Sequence, residues 1–351
     1  MLTYVAYADG SPTPTLVMDA GLLPEPEDEL VPLLRATRSW LVDNGGAPIL
    51  KFALIRPSEH PMFDLEYRFV QCVPGPEPSF DFRGSCGHSI LNSVIAASQM
   101  GWLPWLAPSL RARVHVQNNG DHVVCEVDEA NRGCGVFTVH FVPSPSPRLG
   151  SLLLTGTPVC YLETSIGPVE ASLVSAGNPY VFVDARRLGI DGAEQLFSAG
   201  NELFELMNEI RLSAVRLLGW DERSVFPKIA AVGAFAPGEL AVRAISVPRW
   251  HPTLALTGST CLATAAAIPG TVVERAARAT GSDATRLTVR TPGGTTAVSC
   301  RTSGPGLDDE LLYGSVSRKR ARVLGSLAIE PLSVITYRKE AGECLLALSS
   351  Q

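Results

Sequence analysis

Two stretches of this chain are apolar on every side, and they constrain the fold most. Residues 89–97 (Ser-Ile-Leu-Asn-Ser-Val-Ile-Ala-Ala) and 262–268 (Leu-Ala-Thr-Ala-Ala-Ala-Ile) have the small residues of a close-packed helix and no charged face. A helix without a polar face has to be buried. The surroundings of both are strand-like. Residues 3–18 read as strand, turn and strand, with Gly10-Ser11-Pro12 as the turn. Further strands are predicted at 49–55, 63–72, 114–116, 122–127, 134–142, 157–163, 228–235 and 240–246, with Gly293-Gly294 as a hairpin signal. Ordinary amphipathic helices are expected at 29–42, stopped by Asn44-Gly45-Gly46, and at 192–218. The expected fold class is therefore α+β, with sheets wrapped around buried helices.

At 351 residues the chain exceeds one ordinary core. The Pro/Ser-rich run 143–147 reads as a surface loop, and a boundary is expected soon after it. The expected division is an N-terminal part at 1–163, a C-terminal part at 164–325, and strands at 326–351 that return to the N-terminal part. A net charge of -6, with Arg318-Lys319-Arg320-Ala321-Arg322 as an isolated basic run, gives no nucleic-acid footprint. No run of 18 apolar residues and no charged leader segment is present, so no membrane association is expected and the cytoplasm is the expected location. There is no Gly-x-Gly-x-x-Gly or Walker loop. The 8 Cys show no Cys-x-x-Cys, and the His residues have no zinc spacing, so neither a disulfide framework nor a metal is expected.

Both apolar helices follow a Gly-Ser-(x)-Cys. The first reads Gly84-Ser85-Cys86-Gly87-His88, the second Gly258-Ser259-Thr260-Cys261. This is a weak internal repeat. The first N–H groups of a helix lack intrahelical partners and bind carboxylates, with the helix dipole adding to the attraction. The same field lowers a thiol's pKa. A thiolate beside a carboxylate cradle suits proton exchange at the neighbouring carbon. The competing reading is two cysteines that merely pack at buried helix starts.

At these residues the sequence resembles the PrpF-type isomerases of the diaminopimelate-epimerase-like superfamily. The stretch 84–88 is similar to the family's Gly-Asn-Cys-Gly-Asn. Ala176-Gly177-Asn178-Pro179, Pro227-Lys228-Ile229, Val242-Arg243-Ala244-Ile245-Ser246 running on to residues 264–271, Pro292-Gly293-Gly294-Thr295 and Arg320-Ala321-Arg322 follow in family order. The resemblance implies two pseudo-symmetric halves, each a curved, mostly antiparallel sheet around a central helix. It also implies an active site in the cleft between them, and neither cofactor nor metal. Lys51, after Gly45-Gly46, fits the place of the family's proton-transfer lysine. Standing in an apolar run, it is expected to be partly desolvated, with a lowered pKa.

Two departures stand out. The family's Arg-Gly-Gly-Thr-Ser-Lys turn is replaced by Asp9-Gly10-Ser11-Pro12-Thr13-Pro14, and the Asn residues flanking the cysteine become Ser85 and His88. A tricarboxylate needs several cationic or N–H partners, and the turn has lost two.

The expected activity is allylic proton transfer, either a double-bond shift or a cis-trans isomerisation, on a small unsaturated carboxylic acid. Lys51, Cys86 and Cys261 are the expected catalytic groups. Ser85, Gly87, His88, Asn178, Arg243, Ser259, Thr260 and Arg322 are the expected substrate contacts. Three alternatives stay open: a tailoring isomerase acting on an unsaturated amino or imino acid, a racemase or epimerase using the two thiols, and a non-catalytic accessory protein on the same fold. Homodimer formation also stays open.

Overall fold

The computed structural model describes residues 1–246 and 249–332. The first part of the chain forms β1 (Leu2–Ala8), β2 (Thr15–Asp19), α1 (Glu27–Asp43), β3 (Lys51–Pro57), β4 (Leu65–Val73), β5 (Ser79–Asp81), α2 (Gly87–Gln99), β6 (Arg111–Val116), β7 (His122–Asn131) and β8 (Cys134–Val142). The second part forms β9 (Cys160–Leu162), β10 (Val169–Ala176), β11 (Asn178–Asp184), α3 (Ala193–Ser198), α4 (Asn201–Leu217), β12 (Lys228–Ala236), β13 (Glu239–Ser246), β14 (Arg249–Trp250), α5 (Leu256–Ala267), α6 (Val272–Ala279), β15 (Leu287–Thr291), β16 (Gly294–Thr302) and β17 (Leu311–Ala328). Helices and mixed sheet are thus interleaved, as expected of an α+β chain.

The strand connections follow one series twice. In the first part, β1 and β2 form an antiparallel hairpin, β2 runs parallel to β3 across the α1 crossover, β3 pairs antiparallel with β4, and β4 runs parallel to β6 across α2. In the second part, β10 and β11 form the hairpin, β11 runs parallel to β12 across α3 and α4, β12 pairs antiparallel with β13, and β13 runs parallel to β15 across α5 and α6. The long β17 ties the parts together. Its first half pairs with β16 and β8, and its second half runs along β1 as far as Leu2 opposite Ala328. The expected strands at 326–351 fall mostly outside the described residues.

The two apolar helices take the buried places that their composition demands. Every residue of α2 from Gly87 to Ser98 is buried, and so is every residue of α5 from Leu256 to Ala266. Both belong to one continuous core with the inner faces of the surrounding strands. A second core lies under α3 and α4, and a third under α1, which begins with Glu27, Asp28 and Glu29 at its positive end. Among the described residues no single helix is long and apolar enough to cross a membrane.

The helix expected at 192–218 is broken. It ends at Ser198 and restarts at Asn201 after Gly200. Arg243 lies against the break, donating hydrogen bonds to the carbonyls of Phe197 and Ala199 while its guanidinium lies 4.1 Å from the Trp250 ring centre. Those carbonyls have no helical partner, and a buried guanidinium satisfies them.

Candidate active site

Two lysines stand at matching places in the repeated series. Lys51 is the first residue of β3 and lies opposite Thr15 of β2, and Lys228 is the first residue of β12 and lies opposite Tyr180 of β11. Each begins a parallel strand just after a helical crossover. Lys51 is buried, and its Nζ donates to Ser11 Oγ at 2.8 Å, in the turn that departs from the family pattern. Burial pulls the Lys228 ammonium down to about 8, against the opposing pull of Cys86.

Cys86 is the N-cap of α2, in extended conformation. The first helical bond runs from Ile90 N to Cys86 O. The N–H groups of Gly87, His88 and Ser89 are therefore free of intrahelical partners. Burial pushes the Cys86 thiol up, but the Lys51 ammonium, the Ser89 hydroxyl and N–H, and Lys228 together hold it below its ordinary value. The sulfur makes no capping hydrogen bond. Tyr67 Oη donates to the Cys86 carbonyl at 3.2 Å, and its own ionisation is pushed well up by burial and by Cys86.

Gly87 is required by packing. A Cβ there would lie 2.6 Å from Leu256 Cβ and 3.0 Å from Phe141 Cζ. The first turns of α2 and α5 meet at this point.

His88 and His251 complete the cluster, with ring centroids 6.3 Å apart. Burial, followed by Lys51, His251, Lys319 and Lys228, keeps His88 neutral. His251 is held at about 3 by burial and by Lys228 and Lys51. Its Nδ1 accepts from Thr253 N at 3.1 Å, and Thr253 Oγ1 donates to Gly10 O across to the first turn. His88 Nε2 is buried with no partner. A buried polar nitrogen without a partner is costly, and a ligand that bonds to it removes that cost. Two surface concavities, one beside Trp105 and one beside Arg290, contain none of these residues.

Several expected contacts go elsewhere. Cys261 is not at a helix start. The helix α5 begins at Leu256, so Gly258, Ser259 and Thr260 are helical and Cys261 lies in the second turn. Its thiol donates to Val174 O at 3.4 Å, and burial pushes it up to about 12. Thr260 Oγ1 bonds back to the Leu256 and Thr257 carbonyls inside the helix, and Ser259 Oγ is buried without a partner. Asn178 Nδ2 donates to Thr257 Oγ1 at 3.0 Å, fixing the first turn of α5. Arg243 serves the α3–α4 break. Arg322 pairs with Asp9 at 2.9 Å over the Tyr7 ring. Ser85 is buried next to Cys86 in the sequence.

Sequence reasoning passed over Lys228, Lys319, His251, Ser89 and Tyr67 as site residues. Lys319 sat in a run read only as an isolated basic stretch without a nucleic-acid footprint. In β17 it shares a face with the buried Ala321, and burial lowers its ammonium against the pull of Asp9. That two-residue alternation was the available signal. Lys228 and Lys319 bring two cations to the surroundings of His88 in addition to Lys51.

The chain matches the family described as PrpF protein over residues 43–327. It is 28% identical over 274 residues to a 3-methylitaconate isomerase of Eubacterium barkeri, covering 67% of this chain and 72% of that protein. It is 28% identical to a 4-oxalomesaconate tautomerase of Pseudomonas putida, covering 71% and 74%. It is 26% identical to a 2-methyl-aconitate isomerase of Cupriavidus necator, covering 65% and 68%. Among solved structures, a methylitaconate-delta-isomerase superposes with a TM-score of 0.69 at 23% identity, covering 95% of this chain and 97% of that one. A probable proline racemase superposes at 0.57 with 16% identity, covering 94% and 93%.

Proposed function

Since the chain belongs to the PrpF protein family, we propose that it is an isomerase that moves a proton along an unsaturated di- or tricarboxylic acid of the methylitaconate and methylaconitate kind. The observation that carries this reading is the placement of one activated thiol, Cys86, among Lys51, Lys228 and a neutral, partnerless His88. On this reading the chain is two pseudo-symmetric halves, 1–163 and 164–325, with the site in the cleft where α2 and α5 meet.

The Cys86 thiolate takes the acidic proton beside the double bond. The C–H bond breaks, an S–H bond forms, and the electron pair spreads over the substrate as a dienolate. The free N–H groups of Gly87 and His88 hold the developing negative charge. Lys228 and Lys319 hold the carboxylates. The Lys51 ammonium then gives a proton to the far carbon of the allyl system, and the thiol proton re-equilibrates with the amine. The substrate loses one proton and gains one, so no oxidant, reductant or cofactor enters the balance. A racemase working with two facing thiols is disfavoured, because the Cys261 thiol is held up at about 12 and engaged with Val174 O.

The test is proton exchange followed by NMR in deuterated water, with methylitaconate, cis-aconitate and trans-aconitate as probes. Deuterium entering an allylic carbon with the wild type, and lost in Cys86→Ser and Lys51→Ala, is the expected result. Exchange that survives in Cys86→Ser removes the thiol from the mechanism. No exchange with any probe would return the chain to a non-catalytic role.

A further inference from the structure

Two turns, one from each part of the chain, close on Thr253. The β1–β2 turn supplies the Gly10 carbonyl, which accepts from Thr253 Oγ1 at 3.1 Å. Gly10 stands at φ +86°, and a Cβ there would lie 2.8 Å from Thr253 Oγ1. The β15–β16 turn supplies Gly293, where a Cβ would lie 2.5 Å from Thr253 Cγ2 and 2.7 Å from Pro252 O. Neither turn has room for a side chain at that place. Both glycines stand out in the sequence as turn signals, and the isomerase reading leaves them without a role. The residue after Gly10 is Ser11, whose hydroxyl accepts from Lys51 Nζ at 2.8 Å. The same turn thus holds Lys51 on one side and Thr253 on the other.

Thr253 in turn fixes an imidazole. Its backbone N–H donates to His251 Nδ1 at 3.1 Å, and His251 N donates to Ala244 O of β13 at 2.9 Å. Both residues are buried. A ring nitrogen that accepts a hydrogen bond carries no proton, so the proton of the neutral ring sits on Nε2. A second proton on Nδ1 would point at the Thr253 N–H, so the ring stays neutral. With Nδ1 occupied and Nε2 protonated, the ring is no base. What it can do is donate from Nε2. The His88 ring, two residues past Cys86 in the first turn of α2, lies 6.3 Å away at an angle of 21°. His88 Nε2 is buried without a partner, and a buried polar atom of that kind marks a place for a ligand.

We propose that His251 is a substrate-binding residue, that Thr253 is the positioning residue which keeps its proton on Nε2, and that this N–H donates to a carboxylate oxygen of the acid bound at the start of α2. The inference rests on the reading of that helix start as the substrate site. A hydrogen bond to a carboxylate that is the same before and during proton transfer acts on KM and leaves kcat alone. The two glycines gain a reason as well: a side chain at either turn would displace Thr253, and the imidazole with it.

The experiment takes two readouts on the full chain. The first is the tautomer of His251, read by NMR on protein carrying nitrogen-labelled histidine near neutral pH, with His251→Gln to assign the resonance. A proton on Nε2 is expected, and a proton on Nδ1 or a cationic ring overturns the proposal. The second is the binding and turnover of methylitaconate. His251→Phe, which keeps a ring and removes the donor, should weaken binding and raise KM by about tenfold, with kcat within a few-fold. His251→Gln, which keeps an N–H donor, should recover most of the loss. Thr253→Val, which keeps the backbone N–H and loses the bond to Gly10 O, should raise KM by less. Binding unchanged in His251→Phe overturns the proposal and leaves the isomerase reading standing. A wild type that binds methylitaconate without exchanging its protons overturns the isomerase reading, and the binding loss in His251→Phe still decides the proposal. A wild type that binds none of methylitaconate, cis-aconitate and trans-aconitate overturns both. If His251→Phe does not fold, the wild-type Nε2 resonance decides: it should move when methylitaconate is added, and a resonance that stays in place overturns the proposal.

Discussion

The starts of α2 and α5 are two answers to one structural problem. Each is the buried first turn of an apolar helix, each lies inside a wrapped sheet, and each has behind it a parallel strand that begins with a lysine. At α2 the chain places Cys86 on the cap, with Ser89 and Lys51 to stabilise its thiolate. At α5 the cap is Ala255, the cysteine sits a turn and a half further in, and the hydroxyls of Thr257 and Thr260 are consumed by contacts with Asn178 and the helix itself. The behind-helix partner also differs. Thr15 Oγ1 lies 2.9 Å from Ser89 Oγ in the first turn of α2, whereas Tyr180 fills the space left by Gly258, where a Cβ would lie 2.4 Å from the Tyr180 oxygen. On the proposed reading the first part carries the proton chemistry and the second supplies a cation, a wall and an imidazole, so a repeated strand series need not carry repeated chemistry.

The sharpest way to break this contrast is to treat the two cysteines alike. Cys86→Ser should lower turnover by about 10²–10⁴-fold, the usual worth of a proton-transfer group. Cys261→Ala should leave turnover within a few-fold and cost about 1 kcal/mol of stability through lost packing. Steady-state rates and thermal melts of both variants decide it, and equal losses of rate would restore a two-thiol site.

The lysines should separate next. Lys51→Met is expected to act on kcat, because on the proposed reading Lys51 returns the proton. Lys228→Met is expected to act mainly on KM, by about tenfold, as one charged hydrogen bond to a carboxylate is lost. A split measured in kcat for both would mean that the two lysines share one role.

The pH profile tests the same division. A thiolate base makes kcat/KM rise with pH as Cys86 ionises, and that limb should lie below the ordinary thiol value of 9. Lys228 is useful only when charged, so the rate should fall as pH climbs through about 8. The expected profile is a narrow bell; Lys228→Met should remove the fall near 8 and move the acid limb to higher pH, because Lys228 helps hold the Cys86 thiol down.

Much of this arrangement was legible in the sequence, for a physical reason. A helix apolar on all sides can only be buried, so α2 and α5 were readable from composition. Strand alternation gave β8, predicted at 134–142, and Lys51 was conspicuous in an apolar run. What could not be read was phase. The pattern Gly-Ser-Cys looks the same whether the helix begins at the cysteine or five residues earlier, and Leu256-Thr257-Gly258 carries no strong start signal. Arg243 and Arg322, expected as substrate contacts, take other partners here for a related reason. An arginine's partner is set by tertiary neighbours, here two orphan carbonyls and Asp9, and no local pattern announces them. Lys228 and Lys319 were missed because their neighbours come from distant strands.

The smallest predicted effect tests whether the α5 start is purely architectural. Asn178 was expected to hold substrate, but its amide is 3.0 Å from Thr257 Oγ1 and buried with it. If the bond only fixes the first turn of α5, Asn178→Ala should cost about 1 kcal/mol of stability. KM and the alkylation profile of Cys86 should stay where they are. A raised KM at unchanged stability would instead put Asn178 on the substrate, and the α5 start would then share in binding what the α2 start transforms. The geometry favours the first outcome, because the Asn178 donor already has its acceptor in the resting protein, whereas His88 Nε2 has none.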